Sequence, residues 1–296
     1  MQFGHTLHHV LEQIVYANPC FGPVKLIKID LADEYYQVPL GSHRALQLAV
    51  VLPANFQDPL IAIPLTLPMG WNESLPYFCM CTETIADITN HQLVSRVQPP
   101  WCPHPQEHLA NVNQHECLGH MGRPLVGIVL PRMHLQQRPL TCADVYLDDF
   151  IGLAQTLPDE TWVHQHLMYN INDMFNPNTG QEHICKEPTS DKQLTSGDAS
   201  WCTNHTILQW DLDTTCHTLE LPAHWSNRLH QTLRQFPATR TWVSVCYWKK
   251  LISELCSMVP GIMGGRALFS TLQWKLKTAK NGQVLLNPNT HQCLQD

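Results

Sequence analysis

No stretch of this sequence stays apolar for anything near the roughly 20 residues that a membrane-spanning helix needs, so a helical bilayer protein is excluded. The first residues lack a basic segment followed by an apolar one, so no secretory leader is expected. An intracellular location, cytoplasm or nucleus, follows as the expectation. No period recurs along the chain, which argues against a solenoid or propeller. The twelve cysteines fall at no regular spacing. That pattern speaks against a disulfide framework and for free thiols in a reducing compartment. Charged side chains are sparse, at 15%, and the formal net charge of −7 gives no overall cationic surface.

The distribution of charge is more informative than its total. From Trp225 onward there are nine cations against two anions, a net of +7, which leaves −14 on the residues before it. A basic C-terminal module on an acidic body suits a part that tracks a phosphate backbone beside a part that holds metals. The alternative is a set of ordinary solvated helix faces. With 296 residues and 44% hydrophobic content, the chain is long enough for one large or two small domains with a real core.

Periodicity outlines the elements. Leu7, Val10, Leu11, Ile14 and Val15 recur at helical spacing and open the chain with an amphipathic helix. Leu26 to Leu31 alternates as a strand, with Ile27, Ile29 and Leu31 on one face and Lys28 and Asp30 on the other. Ala45 to Leu52 and Leu60 to Leu67 are β-prone runs around Pro53, Asn55 and Asp58, which predicts a hairpin. Ser74 is placed to cap a helix whose inner face carries Phe78, Cys81, Ile85 and Ile88. Ser95 to about Leu140 has no period and is read as a surface insertion. Val163, Leu167, Ile171 and Met174 predict a further helix. Thr179 to Asn204 reads mostly as loop, and Thr206 to Leu212 with His217 to Leu221 reads as a second hairpin. Three helices follow: one through Trp225, Leu229, Leu233 and Phe236, one through Val245, Trp248, Ile252 and Leu255, and one over Arg266 to Leu276.

The most telling stretch is Val145 to Ala154, in which Asp148 and Asp149 stand between two short apolar arms. The arms read as strands and the pair as a tight turn. Two like charges side by side repel, and an apolar hairpin offers them no partner, so a cation is expected nearby. Asp30, at the end of its own strand, supplies a third carboxylate. Three carboxylates of this kind hold two cations about 3.5–4 Å apart in two-metal catalysis. All the candidate ligands are hard oxygens, so magnesium fits best. Phosphoryl transfer is the chemistry this predicts.

These residues carry a resemblance. Asp30 with Tyr35, then Leu67-Pro68-Met69-Gly70-Trp71, then Tyr146-Leu147-Asp148-Asp149 resembles the palm of reverse transcriptases, closest to the polymerase part of retrotransposon polyproteins. Met1 to Gly4, Gly22 to Val24, Leu208 to Thr214, Leu219 to Pro222 and Trp248 to Leu255 extend it over most of the chain. The resemblance implies an α+β fold, an antiparallel sheet packed on helices as a palm with partial fingers over 1–221 and a small helical thumb over 222–296. It implies RNA-directed DNA synthesis by two-metal nucleotidyl transfer. Asp30 and Asp148 would bridge two Mg²⁺ ions, with Mn²⁺ as a substitute, and Asp149 would be the less direct partner. Tyr35 would pack under the incoming sugar and select deoxynucleotides, while Tyr36 is assigned to the core. Leu31 and Asp33 would lie near the triphosphate, and Met69 and Gly70 would carry the templating base and nucleotide. Lys192, with Lys186 as competitor, would protonate pyrophosphate, and Leu208, Gln209 and Trp210 would grip the primer. The implied partners are an RNA or DNA template-primer, a deoxynucleoside triphosphate and other segments of the same polyprotein, with no membrane.

The chain departs from that pattern in places. Gln209 stands where glycine is usual, and Glu34 replaces a small residue, which adds negative charge beside the carboxylates. Only Lys25 and Lys28 are basic among the 29 residues before Asp30. A fragment of a longer polyprotein, or a decayed copy that binds nucleic acid without turnover, is therefore the second reading. His115 and His120 imitate a zinc-protease helix but are five residues apart, about 140° around a helix, so they do not share a metal as i, i+4 ligands do. His104, His108, His115, Cys117 and His120 have no regular ligand spacing behind a zinc site. They are read as loop histidines.

Overall fold

Leu26, Ile27 and Ile29 are buried on a strand that ends at Asp30, and one of the buried clusters of the chain assembles around that strand. The structure is a computed structural model that describes residues 5–51, 60–96, 135–175, 188–196, 199–237, 239–256 and 265–295. It divides into two compact units, one ending at His205 and one beginning at Thr206. No helix among the described residues is long and apolar enough to cross a membrane. The chain is an α+β protein of helices and small antiparallel sheets.

In the first unit, β1 (Lys25–Asp30), β2 (Val50–Val51) and β3 (Ile61–Ala62) precede β4 (Thr141–Tyr146) and β5 (Asp149–Ala154). The principal sheet has the order β1-β5-β4. All its pairs are antiparallel, with Lys25 opposite Ala154, Asp30 opposite Asp149 and Tyr146 opposite Asp149. The central strand is buried from Phe150 to Ala154, as expected of a strand flanked on both sides. Helices α1 (Thr6–Tyr16), α2 (Ser42–Gln47), α3 (Ser74–Ser95), α4 (Leu157–Phe175) and α5 (Asp191–Ser196) complete the unit. Ile27, Ile29, Phe78, Ile85, Leu93, Phe150, Val163, Leu167 and Ile171 form one buried cluster. Gly152 admits α4 to the sheet: a Cβ there would lie 2.7 Å from Ile27 Cγ2 and 3.0 Å from Val163 Cγ1.

Several buried polar groups inside this unit are matched. Asn170 Nδ2 donates to Thr89 Oγ1 and to Gln92 Oε1, both at 2.9 Å, which ties α4 to α3. Lys25 Nζ lies 2.8 Å from the buried Glu160, and Arg96 Nη1 lies 3.1 Å from the buried Asp159. Both edges of the principal sheet are occupied. On β4, Asn90 Nδ2 donates to Ala143 O at 2.7 Å, its Oδ1 accepts from Ala143 N at 2.8 Å, and Thr6 Oγ1 donates to Val145 O at 2.8 Å. On β1, Leu26 and Cys202 exchange backbone bonds of 2.8 and 3.1 Å, and Ser190 N donates to Asp30 O at 3.0 Å.

Several expectations are corrected here. Ala45–Gln47 belongs to α2 and not to a strand, since Arg44, Ala45, Leu46 and Gln47 are good helix formers. The hairpin beyond it has only two residues on each strand. Ser74 is the first helical residue and not the cap: its hydroxyl donates to Pro68 O at 2.7 Å, and Glu73 precedes the helix. Ile88 is exposed, and the inner face of α3 runs through Phe78, Cys79, Thr82, Ile85, Ala86, Thr89 and Leu93. The stretch read mostly as loop from Thr179 contains one short helix, α5, among its described residues. Tyr36, assigned to the core, is 54% exposed. It sits on a 3-10 turn over Glu34–Gln37, where successive side chains diverge by about 120°, so Tyr35 and Tyr36 do not share a face.

The second unit carries β6 (Asn204–Ile207), which enters it across the junction, β7 (Trp210–Asp213) and β8 (Thr218–Glu220), in that sheet order. The expected single hairpin is therefore three strands, because Leu208 and Gln209 turn the chain between β6 and β7. Helices α6 (Ala223–Leu233), α7 (Val245–Cys256) and α8 (Gly265–Lys277) match the expected trio. Two strands that the sequence reading did not foresee, β9 (Trp242–Ser244) and β10 (Gln283–Leu285), pair antiparallel, and α9 (Pro288–Gln295) follows. Trp248 is fully buried and donates its indole N–H to Leu272 O at 3.1 Å, which joins α7 to α8.

Candidate metal centre

The β4–β5 hairpin turns through Leu147 and Asp148, and Asp149 is the first residue of β5. Leu147 takes a positive φ of 58°, as the first central residue of a primed hairpin turn does. The turn thus projects Asp148 beyond the strand ends, while Asp149 stays in the ladder opposite Asp30. Leu31 N donates to Asp148 O at 3.1 Å and fastens the turn to the end of β1. One carboxylate oxygen each from Asp30, Asp148 and Asp149 lies within 4.8 Å of the others. All three side chains are partly exposed, so the cluster is open to solvent. Among the described residues, no other His, Cys, Asp or Glu group meets this geometry.

The charges of this cluster are not self-compensating. Burial pushes the Asp30 carboxyl up to about 8, helped by a hydrogen bond with Asp149 and by the charges of Asp149 and Asp148, with Lys28 opposing. Burial and the neighbouring Asp149 also raise Asp148. Glu34 is raised by burial and then by Asp148. Lys28 Nζ lies 2.9 Å from Asp149 Oδ1. Near neutral pH, Asp30 therefore retains a proton that a divalent cation would displace. Three hard carboxylate oxygens brought this close, two of them on groups whose ionisation burial and neighbouring charge hold back, fit a hard cation such as Mg²⁺.

The remaining candidate residues lie as follows. Tyr35 packs on Phe78 with ring centroids 5.1 Å apart, at the margin of the core. Asp33 and Glu34 have φ of 57° and 32°, so the backbone just after β1 bends sharply. Met69 is 67% exposed, and Gly70 takes φ 91°, which a glycine adopts without strain. Lys192 is exposed on α5. In the second unit Leu208 and Gln209 have φ of 50° and 68°, and Trp210 is only 5% exposed within its sheet. Lys186, Met1 to Gly4 and the histidines at 104, 108, 115 and 120 lie outside the described residues. The ion pair of Lys28 was missed in the sequence. Its signal was present: Lys28 shares a face with Asp30 two residues on, which sets it diagonally from Asp149 once the strands pair.

Among solved structures, the chain is similar to the dRH form of the foamy viral protease-reverse transcriptase in complex with double-stranded DNA. Identity is 10%, the TM-score is 0.50, and the match covers 92% of this chain and 34% of that one. The chain has a reverse-transcriptase-like fold. A second similar structure is the foamy viral protease-reverse transcriptase in complex with an RNA/DNA hybrid, at 11% identity and a TM-score of 0.48, covering 92% and 26%. The chain thus spans about a third of the first of these proteins. No family model matches the sequence, and no curated protein matches it.

Proposed function

We propose that this chain is the palm and thumb of an RNA-directed DNA polymerase from a retrotransposon polyprotein, adding deoxynucleotides to a primer paired with its template. The observation that carries the reading is the convergence of Asp30, Asp148 and Asp149 from a strand end and a hairpin turn within 4.8 Å. That convergence sits on a fold shared with a reverse transcriptase whose structure contains double-stranded DNA.

In this reading Asp30, Asp148 and Asp149 would hold the metal ions. Two bound Mg²⁺ ions, or Mn²⁺ in their place, would supply Lewis-acid activation of the primer hydroxyl and charge neutralisation at the leaving pyrophosphate. The residues of the chain do the rest. Tyr35, braced on Phe78, sets a flat ring where a ribose 2′-hydroxyl would clash. The backbone at Leu31 and Asp33 receives the triphosphate, Met69 and Gly70 support the templating base, and Lys192 delivers a proton to pyrophosphate. Leu208, Gln209 and Trp210 form the primer grip. Other segments of a polyprotein would complete the fingers.

A second reading, binding without turnover, draws on Glu34. Its carboxyl stands beside Asp148 and adds charge that opposes a triphosphate. Primer extension on poly-rA/oligo-dT with Mg²⁺ separates the two. Incorporation by the wild type that Asp148→Asn abolishes supports the polymerase. Binding of the hybrid by both proteins with incorporation by neither supports the second reading and refutes the first.

A further inference from the structure

Among the described residues, Lys28 is a cation paired with the carboxylate cluster. Its ammonium lies 2.9 Å from Asp149 Oδ1, with side-chain exposures of 21% for the lysine and 19% for the aspartate. Both charges are thus largely withdrawn from water, so salt and solvent screen them weakly. The lysine is also held in place from its backbone. Lys28 is paired with Ile151 in the middle of β1, between the buried Ile27 and Ile29. The register that puts Asp30 opposite Asp149 puts Lys28 diagonally behind it, on the same face. The ammonium therefore reaches Asp149 from the side away from the hairpin tip.

A fixed positive charge at that point has two effects on a divalent cation. It holds the Asp149 carboxylate in one orientation, and it repels a second positive charge brought to the same oxygens. The neighbouring carboxylates Asp30, Asp148 and Glu34 act in the opposite sense, and Lys28 offsets part of their field.

We propose that Lys28 is a positioning residue and built-in counter-ion: its ammonium keeps the bare cluster a weak binder of divalent cations, so that tight loading awaits an incoming triphosphate. The inference rests on the metal-dependent reading above and deepens it. Loading is then ordered by the substrate, because the phosphates supply the negative charge that Lys28 has cancelled.

The test is a titration of the full chain with Mn²⁺ alone, without nucleotide or nucleic acid, followed by the electron paramagnetic resonance signal of free Mn²⁺. Lys28→Gln and Lys28→Met remove the charge, and Lys28→Arg keeps it. Melting curves by circular dichroism accompany each variant, and the methionine keeps the packing of the lysine stem should the glutamine unfold the chain. Removing a unit charge a few ångströms from the site should tighten Mn²⁺ binding about tenfold. Lys28→Arg should stay within about twofold of the wild type. A purely structural lysine would change the melt and leave the affinity alone.

Folded Lys28→Gln or Lys28→Met protein that binds Mn²⁺ no more tightly than the wild type overturns the inference, and so does a chain that binds no Mn²⁺ in any form. Primer extension on the same preparations keeps the two ideas apart. Tighter Mn²⁺ binding with no incorporation by any preparation overturns the polymerase and leaves the counter-ion standing. Incorporation by the wild type with unchanged Mn²⁺ affinity in the variants does the reverse.

Discussion

Replacing Asp30 by asparagine should make the cation-free protein more stable at alkaline pH, the opposite of what removing a buried hydrogen-bonding group usually does. The Asp30 carboxyl is pushed from 3.8 to about 8, chiefly by burial and then by Asp149 and Asp148. Between those values the folded chain keeps a proton that the unfolded chain has lost. Stability therefore falls as pH rises through this window, and the cost is complete above it. In full, such a displacement corresponds to on the order of 5 kcal/mol. The group is only half-buried, and solvent screening brings the effect to about 2 kcal/mol. For a unit of this size that is about 5 °C in Tm. Thermal melts in EDTA at pH 5 and pH 8.5 measure it. The wild type should lose about 3 °C more than Asp30→Asn between the two, since part of the effect is already present at pH 5, and added Mg²⁺ should raise the wild-type Tm more at pH 8.5 than at pH 5. Equal pH dependence in the two proteins would refute the electrostatic account of the cluster.

Two further outcomes follow from the packing. Gly152→Ala forces a methyl to 2.7 Å from Ile27 Cγ2 and 3.0 Å from Val163 Cγ1, so it should cost about 1–3 kcal/mol by overpacking. A urea titration showing less than half a kilocalorie of loss would mean that α4 stands off the sheet. Gln209→Gly relieves a left-handed residue at φ 68° and should be neutral or stabilising by up to about 1 kcal/mol, whereas a lower Tm would contradict the turn geometry.

The parts of the fold legible in the sequence are those whose pattern runs long enough to show a period. Leu26 to Asp30 alternates over a whole strand, and Val163, Leu167 and Ile171 repeat over several turns of α4, so both were readable. So was the hairpin carrying Asp148 and Asp149, because its apolar arms are full-length strands. β9 and β10 have three residues each, too few for any period to appear, and their sequences merge with the flanking helices. The helical turn over Ala45–Gln47 was hidden by the apolar character it shares with the strand after it. Tyr36 was misplaced because adjacent aromatics were read without the 3-10 turn that separates them. The ion pairs of Lys25 with Glu160 and Lys28 with Asp149 join residues more than a hundred positions apart, so the first needs the helix packed on the sheet and the second the strand register to be seen.

Among the described residues, a three-stranded sheet with both margins engaged leaves little ladder for a newcomer. Asn90 imitates a peptide unit along one border, and Cys202 and Ser190 close the other. Edge-to-edge joining with another chain, the usual hazard of small sheets, is hindered at both sides. What this sheet still offers to the outside is its tip, where the acidic turn emerges.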